Sequence, residues 1–343
     1  MNQVRAGDLA RAADLARAAD LDRARGLAIS LVVFGHIVAR QPPTDAQWYE
    51  TIRLVIYSFH MPFFFYLSGR IAILSGQFNR PARALPALIT ARARRLLLPA
   101  LLLGPLIILA KCALAPFLTI DNVPRSISTG LINLLWHPNH SPAYDLWFLV
   151  VLFALSIIAP ILRLATQDRL WPIILLASLL YILPLPSHLY LALTGHYAIF
   201  YVLGLAAGRA GPAWPAWIDR HGRSCLVLLA LGGLVVATAH LPFAVTLLPM
   251  GVLSMPALNG LVRFPSLNSA AWLAKLGRWS MAIYLLNTLC IGLAKAGLLA
   301  LTSWNGWHFF VFAPALLAVG LLGPILIKRR FLAAIPALDR MTD

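Results

Sequence analysis

His36 and Arg25 are the residues near the start of the chain whose types and spacing could do chemistry. An imidazole titrates near neutral pH and can take a proton from a hydroxyl, whereas a guanidinium stays charged and binds anions. At about 100° and 1.5 Å per residue, eleven helical steps place them about 20° apart and roughly 16 Å apart along the axis. His36 would then lie at membrane depth, where a polar group is costly and indicates function, or bonds to a neighbouring helix.

Three arginines precede a later apolar segment, in the order Arg92, Arg94 and Arg95. A basic cluster at this place is typical of a cytoplasmic membrane anchor. The alternative is a binding site for the phosphates of a cytosolic cofactor, because guanidinium groups match phosphate oxygens. Arg92 and Arg95 would share one face of an α-helix.

The other candidates are polar or aromatic residues within apolar segments. Arg70 lies inside such a segment, where a charge needs a partner or a watery cavity. A polar helix face, such as the one predicted near residue 280, is either glue between helices or a cavity wall. Trp147 is either an interfacial aromatic or a platform for a sugar. The expected substrate or cavity residues are Asp22, His60, Ser68, Arg70, Trp147, Ser280, Tyr284 and Asn287.

The composition predicts an all-α polytopic membrane protein. Of 343 residues, 60% are hydrophobic and only 12% are charged, which is too little polar surface for a soluble globule. The net charge of +16 comes in short clusters between apolar runs, a pattern that favours membrane topology over nucleic-acid binding. Cys112, Cys225 and Cys290 lie singly and are expected to be reduced. His137 and His140 could chelate a metal, but Pro138 between them disfavours it, and we expect no metal site.

Apolar segments long enough to span a membrane predict about ten transmembrane helices. Both termini are expected to be cytoplasmic, since the basic clusters lie at the termini and in every second loop between the segments. The expected spans are about 25–41, 52–76, 96–118, 145–165, 170–186, 196–211, 224–240, 243–262, 278–300 and 307–327. Residues 1–24, with a repeated six-residue unit, would form a low-complexity cytoplasmic extension. Residues 25–327 would form the membrane domain and residues 328–343 a basic cytoplasmic tail.

Together these segments resemble the membrane-bound acyltransferase family 3. Arg25, ten further residues and His36 are similar to its R-x10-H motif, and the spacing of Arg92 and Arg95 is similar to its RxxR motif. The segment from His60 to Gly69 resembles its FFF-x-L-S-G helix, in the form found in fucose 4-O-acetylase-like members. The segments at 147–149 and 277–286 match later signatures. Asn287 departs from the pattern, because many members have histidine there.

The resemblance implies transfer of an acyl group, usually acetyl, from cytosolic acyl-CoA to a carbohydrate hydroxyl. His36 would be the catalytic residue and Arg25 its motif partner, while Arg92 and Arg95, with Arg94 beside them, would hold the CoA phosphates. Acetyl-CoA would be a donor substrate, with no permanently bound cofactor. The expected location is the bacterial inner membrane, and the acceptor an exported polysaccharide or lipid-linked sugar, with a polysaccharide synthesis or export complex as a further partner.

Two rival interpretations come from other classes. A transporter or flippase of a polysaccharide or lipid intermediate fits the composition and topology equally well. Such proteins carry coupling carboxylates within their spans, whereas the one glutamate, Glu50, is expected in an outer loop. An accessory subunit of an export machine would not need His36.

Overall fold

The computed structural model describes residues 2–38, 43–115, 122–239, 241–334, 339 and 342, with side chains from residue 18 onward. These residues form helices and no strand. The helices are α1 (Asn2–Gly35), α2 (Gln47–Tyr57), α3 (His60–Leu74), α4 (Leu85–Arg92), α5 (Leu98–Leu114), α6 (Ile127–Leu135), α7 (Trp147–Ala165), α8 (Trp171–Ile182), α9 (Leu191–Arg209), α10 (Ala213–Ala239), α11 (Phe243–Leu261), α12 (Pro265–Asn268), α13 (Ala271–Arg278), α14 (Ser280–Leu301) and α15 (His308–Arg330).

Seven helical stretches of the described chain are long and apolar enough to cross a membrane. They are Ala82–Leu114, Tyr144–Ala165, His188–Arg209, Ala213–Ala239, Phe243–Leu261, Ser280–Leu301 and His308–Ala334. Each overlaps one of the ten expected spans, although Ala82–Leu114 and Ala213–Ala239 begin well before the expected 96–118 and 224–240. The protein is therefore an all-helical, multi-pass membrane protein.

The remaining three expected spans are not among these seven stretches. The first, 25–41, falls on the last part of the 34-residue helix α1, which continues for about 15 Å beyond Arg25, half of the roughly 30 Å hydrocarbon layer, and its residues 39–41 lie outside the described residues. The second is divided between α2 and α3, because the chain turns at Ser58 and Phe59 and Pro62 falls in the first turn of α3, where proline is tolerated. The third is α8, an apolar helix of 12 residues.

The chain divides into two compact units. The first comprises Met1–Leu67 and Pro212–Ala333, and the second comprises Ser68–Gly211 and Ala334–Asp343. The division falls inside α3. The expected boundary between extension and membrane domain at residue 24 falls inside α1, where Leu21, Arg23 and Ala24 are buried.

In the first unit, glycines bring α1 and α13 into backbone contact. A methyl group on Gly26 would overlap the carbonyl oxygen of Leu273, and one on Gly277 would overlap that of Asp22. Two turns after Gly26 on α1, Gly320 of α15 leaves room for Val33. Small residues allow such close packing in membranes, where apolar burial drives helix association little. The glycines thus fix the position of α1 against α13 and α15.

In the second unit, α3 packs closely on α9, since a methyl group on Gly69 would overlap the carbonyl oxygen of Tyr201. The helix that leads to the arginine cluster is irregular. Between α4 and α5, Ala93–Leu97 forms a π-helical turn. Such turns insert an extra residue into a helix and are frequent at functional sites. The α-helical face expected to hold Arg92 and Arg95 is therefore interrupted between them.

Candidate functional site

His36 follows the last residue of α1 and is bonded to α14. Its ring nitrogen Nδ1 lies 2.8 Å from Oδ1 of Asn287, which is completely buried. The backbone N–H of His36 donates to the carbonyl oxygens of Val32 and Val33, both 3.1 Å away, so the last turn of α1 continues to the histidine. The imidazole is half-buried. Its position is thus set by two helices of the first unit.

Arg25 is hydrogen-bonded to the same helix, α14, two turns before Asn287. Its Nη2 donates to Oγ of Ser280 at 2.8 Å. Ser280 and Asn287 are seven residues apart, two turns of α14, and so lie on one face. Because Arg25 meets Ser280 and His36 meets Asn287, α1 and α14 run side by side in the same direction. The two motif residues therefore share a face of α1, and their partners share a face of α14.

Asp22 lies in the middle of α1 and so does not cap that helix. Its carboxylate is 3.9 Å from the guanidinium of Arg25 and 3.7 Å from that of Arg278 at the end of α13. These are partly exposed pairs, which stabilise a fold only weakly. Their consequence is positional, since Asp22 holds the guanidinium of Arg25 from one side while Ser280 accepts its hydrogen bond.

A face of α2 braces the end of α1. The phenol of Tyr49 donates to the carbonyl oxygen of Phe34 at 2.8 Å, and that of Tyr57 donates to the carbonyl oxygen of Gly35 at 2.9 Å. Arg53, midway between the tyrosines, donates to the carbonyl oxygen of Val38 at 3.2 Å. The last carbonyls of a helix lack intrahelical partners. The three side chains of α2 satisfy carbonyls immediately before and after His36.

We expect Tyr49→Phe to destabilise the first unit by about 1–3 kcal/mol, because it removes the phenol that donates to Phe34 and leaves the buried backbone N–H of Val38 without its acceptor. The ring of Tyr49 is completely buried and packs on Phe34 at 5.1 Å. A phenylalanine at position 49 would fill the same space, so the substitution removes only the hydroxyl group. The measurement is thermal unfolding of the purified protein in detergent. Thr238→Val is a control, since its hydroxyl bonds a carbonyl on exposed α10. Equal midpoints for the two variants would contradict the brace.

His60, at the start of α3, is a second imidazole near the first. It is buried, and its Nδ1 donates to the carbonyl oxygen of Ile56 at 2.9 Å. Its ring lies 5.0 Å from the ring of Tyr57, and it is near enough to His36 that the two imidazoles would repel each other if both were protonated. The structure thus places His60 beside His36, together with the tyrosine that bonds Gly35.

The arginine cluster belongs to the second unit. Arg92 is half-buried and donates to Oε1 of Gln77, which holds it against the preceding segment. Arg80 and Arg95 are exposed, and both lie close enough to repel the charge of Arg92. Arg94, on the π-helical turn, is exposed as well. The sequence analysis did not include Arg80, which precedes the 3₁₀ turn at Ala82–Ala84 and has no helical spacing to Arg92 that could have identified it.

The remaining candidates are spread over the two units. Arg70 is buried, and Ser68 is half-buried on the same helix in the second unit. Trp147 is also in the second unit, where its ring lies 4.9 Å from that of Tyr197. Tyr284 is half-buried on α14, and its carbonyl oxygen accepts a hydrogen bond from the amide of Asn287.

An ion network anchors α1 upstream of the motif, and sequence reasoning missed it. The guanidinium of Arg263 forks onto Asp219 with two bonds of 2.7 Å and also donates to Asp20. The hydrogen bond to Asp219 raises the pKa of Arg263 although partial burial opposes this. Arg23 donates to Oδ1 of Asn268 at 2.8 Å. The four acidic and basic residues tie α1 to α10 and to the end of α11.

His137, His140 and His188 lie near one another without forming a metal cluster. The rings of His137 and His140 are 6.5 Å apart, and that of His188 is 5.0 Å from His137. Within the described ranges, no group of three or more histidine, cysteine or acidic residues could hold a metal ion.

Comparison with known proteins assigns the family of this multi-pass membrane protein. The model of the acyltransferase 3 family, an acyltransferase domain, matches residues 18–329. The chain therefore belongs to the acyltransferase 3 family, as its motifs predicted. It is similar to nodulation protein NolL of Mesorhizobium japonicum, with 33% identity over 118 residues, which are 33% of this chain and 30% of that protein. The chain thus aligns with under a third of that relative's length. No solved structure matches.

Proposed function

We propose that the protein transfers an acyl group, in particular acetyl, from cytosolic acyl-CoA to a hydroxyl of an exported polysaccharide or lipid-linked sugar. Its location would be the bacterial inner membrane, with about ten transmembrane helices and both termini cytoplasmic. Membership of the acyltransferase 3 family supports the reaction class. The observation that carries the assignment of the site is the 2.8 Å contact between His36 and Asn287, since it fixes a half-buried imidazole inside an apolar bundle.

His36 supplies the chemistry by one of two routes. As a general base it takes the proton of the acceptor hydroxyl, whose oxygen attacks the thioester carbonyl. The carbon–sulfur bond breaks, and the proton passes to the departing thiolate. As a nucleophile the imidazole first accepts the acyl group and releases CoA, and the hydroxyl then attacks the acyl-imidazole. Rapid-quench trapping of labelled acetyl on His36 supports the second route, and its absence during turnover supports the first.

Arg25 and Asp22 position the middle of α1 against α13 and α14. The cluster of Arg92, Arg94 and Arg95 binds the donor. The phosphates of acyl-CoA need several fixed positive charges. Arg92 and Arg95 supply them with Arg94 and Arg80 nearby, and the mutual repulsion of these guanidinium groups is relieved when an anion binds. His60, Ser280 and Tyr284 are proposed substrate or cavity residues of the first unit, and Ser68, Arg70 and Trp147 of the second.

We expect Arg92→Gln and Arg95→Gln each to weaken acetyl-CoA binding by about 10–100-fold, because each removes a charge-assisted hydrogen bond to phosphate. Isothermal titration of the purified protein with acetyl-CoA measures this. Arg83→Gln is the matched control, since it removes an exposed positive charge from the neighbouring helical turn. The donor site is elsewhere if all three variants bind alike.

The function itself is tested in cells. Exopolysaccharide is isolated with and without the protein, and its ester-linked acetate is measured by mass spectrometry. Loss of acetate without the protein and its return on re-expression support acyl transfer. A transporter or flippase would be supported instead if cells without the protein export much less polymer and the exported polymer carries its usual amount of acetate.

A further inference from the structure

We infer that Asn287 is a positioning residue that keeps the proton of the neutral His36 imidazole on Nδ1, so that Nε2 is the nitrogen that reacts. The inference rests on the proposed role of His36 and adds which atom acts. It assigns a task to the position at which the chain departs from the family pattern. Asparagine at 287 does not titrate, so it orients the imidazole of His36 and does not supply a second one.

The first step concerns the orientation of the Asn287 side-chain amide. Its Nδ2 lies 2.9 Å from the carbonyl oxygen of Ile283 and 2.7 Å from that of Tyr284. Carbonyl oxygens only accept hydrogen bonds, so the amide group facing them must be the –NH₂. The opposite orientation would place oxygen against two oxygens in a completely buried position. The amide oxygen therefore faces His36.

The second step concerns the proton on His36. An amide oxygen accepts and does not donate, so the 2.8 Å contact requires a hydrogen on Nδ1. A neutral imidazole has one such hydrogen, which leaves Nε2 with its lone pair. Within the described part of the chain, the contact with Asn287 is the one hydrogen bond of the His36 side chain. Nε2 is thus the nitrogen left for a substrate.

The third step concerns the geometry that this bond maintains. The backbone at His36 is held by α1 and by the phenols of Tyr49 and Tyr57, but the imidazole can still rotate about its side-chain torsions. The bond to Asn287 fixes that rotation. Without it the ring can turn over and present the protonated nitrogen. Misplacement of a reacting group by about 1 Å costs about 100-fold in rate.

The experiment compares three variants of the full-length protein with a matched asparagine on α11. Asn287→Ala removes the acceptor, Asn287→Leu fills the space without an acceptor, and Asn287→Asp keeps an oxygen acceptor for Nδ1–H. Asn259→Ala is the control, because Asn259 is also buried and its amide donates to the carbonyl oxygen of Met255 four residues earlier. Each protein is purified in detergent, and transfer from acetyl-CoA to a carbohydrate acceptor is measured.

We expect kcat to fall about 100-fold in Asn287→Ala and Asn287→Leu while KM for acetyl-CoA stays within about twofold. Asn287→Asp should recover at least tenfold over the leucine variant, because its carboxyl group, protonated in this buried position, accepts from Nδ1–H and donates to one of the two carbonyls that the amide of Asn287 meets. The inference is overturned if the leucine and aspartate variants are equally active, or if alanine at 287 lowers kcat no more than alanine at 259. An active His36→Gln protein would instead refute the proposed function.

Discussion

The His36→Gln protein is expected to accumulate in the membrane and to bind acetyl-CoA while its rate of acyl transfer falls by about 10²–10⁴-fold. Glutamine fits the space of a half-buried imidazole and still has an N–H to donate to Asn287. It has no basic nitrogen, however, and it cannot carry an acyl group reversibly. The loss therefore follows from chemistry and leaves the packing of α1 and α14 in place.

Three measurements check this expectation. Transfer of labelled acetyl in membranes gives the rate, titration with acetyl-CoA gives donor binding, and thermal unfolding reports the fold. His221→Gln is the control, since His221 is a histidine of the same unit on α10 whose ring bonds only the adjacent helical turn through the carbonyl oxygen of Trp217. Full transfer by the His36→Gln protein would show that the acyl group is not handled at His36.

Gly277→Ala is expected to have the largest effect on stability among substitutions outside the polar site. The added methyl group would meet the backbone carbonyl of Asp22, which cannot rotate aside as a side chain can. The helices must then separate, and overpacking of this kind costs about 1–3 kcal/mol or more. Separation of α1 from α13 also moves Ser280, three residues beyond the substitution, away from Arg25. Stability and transfer should fall together.

Gly292→Ala on α14 provides the control for this prediction. A methyl group there meets no atom within 4 Å, so the change should be neutral or stabilise the helix by up to about 1 kcal/mol. Thermal unfolding midpoints in detergent and transfer rates are compared for the two alanine variants. The close contact between α1 and α13 would be refuted if both variants unfold at the same temperature.

Periodicity and hydropathy were sufficient to predict much of this protein. Seven apolar runs of the right length correspond to seven long helices, because a spanning helix must satisfy its own backbone and present apolar side chains. The eleven-residue step also predicted that Arg25 and His36 share a face, as their partners on α14 require. These are properties of single helices, which a sequence displays directly.

The pairing between helices was beyond the reach of such reasoning. His36 and Asn287 are 251 residues apart, and their contact depends on the register of α1 against α14. The glycines at 26 and 277 set the position of α1 against α13, the helix that directly precedes α14. The brace on the end of α1 had a readable signal, because Tyr49, Arg53 and Tyr57 recur every four residues. It was missed because the run from 52 to 76 was interpreted as one helix, which hides the separate face of α2.

The π-helical turn at Ala93–Leu97 has a consequence for how this part of the chain can vary. One extra residue in a helix rotates everything after it by about 100° relative to an uninterrupted α-helix. The apolar side chains of α5 are oriented for their neighbours only with that rotation included. Single-residue deletions between Arg92 and Leu98 would therefore turn the whole of α5 away from its packing partners. The packing of α5 therefore depends on the number of residues in this turn more than on their types.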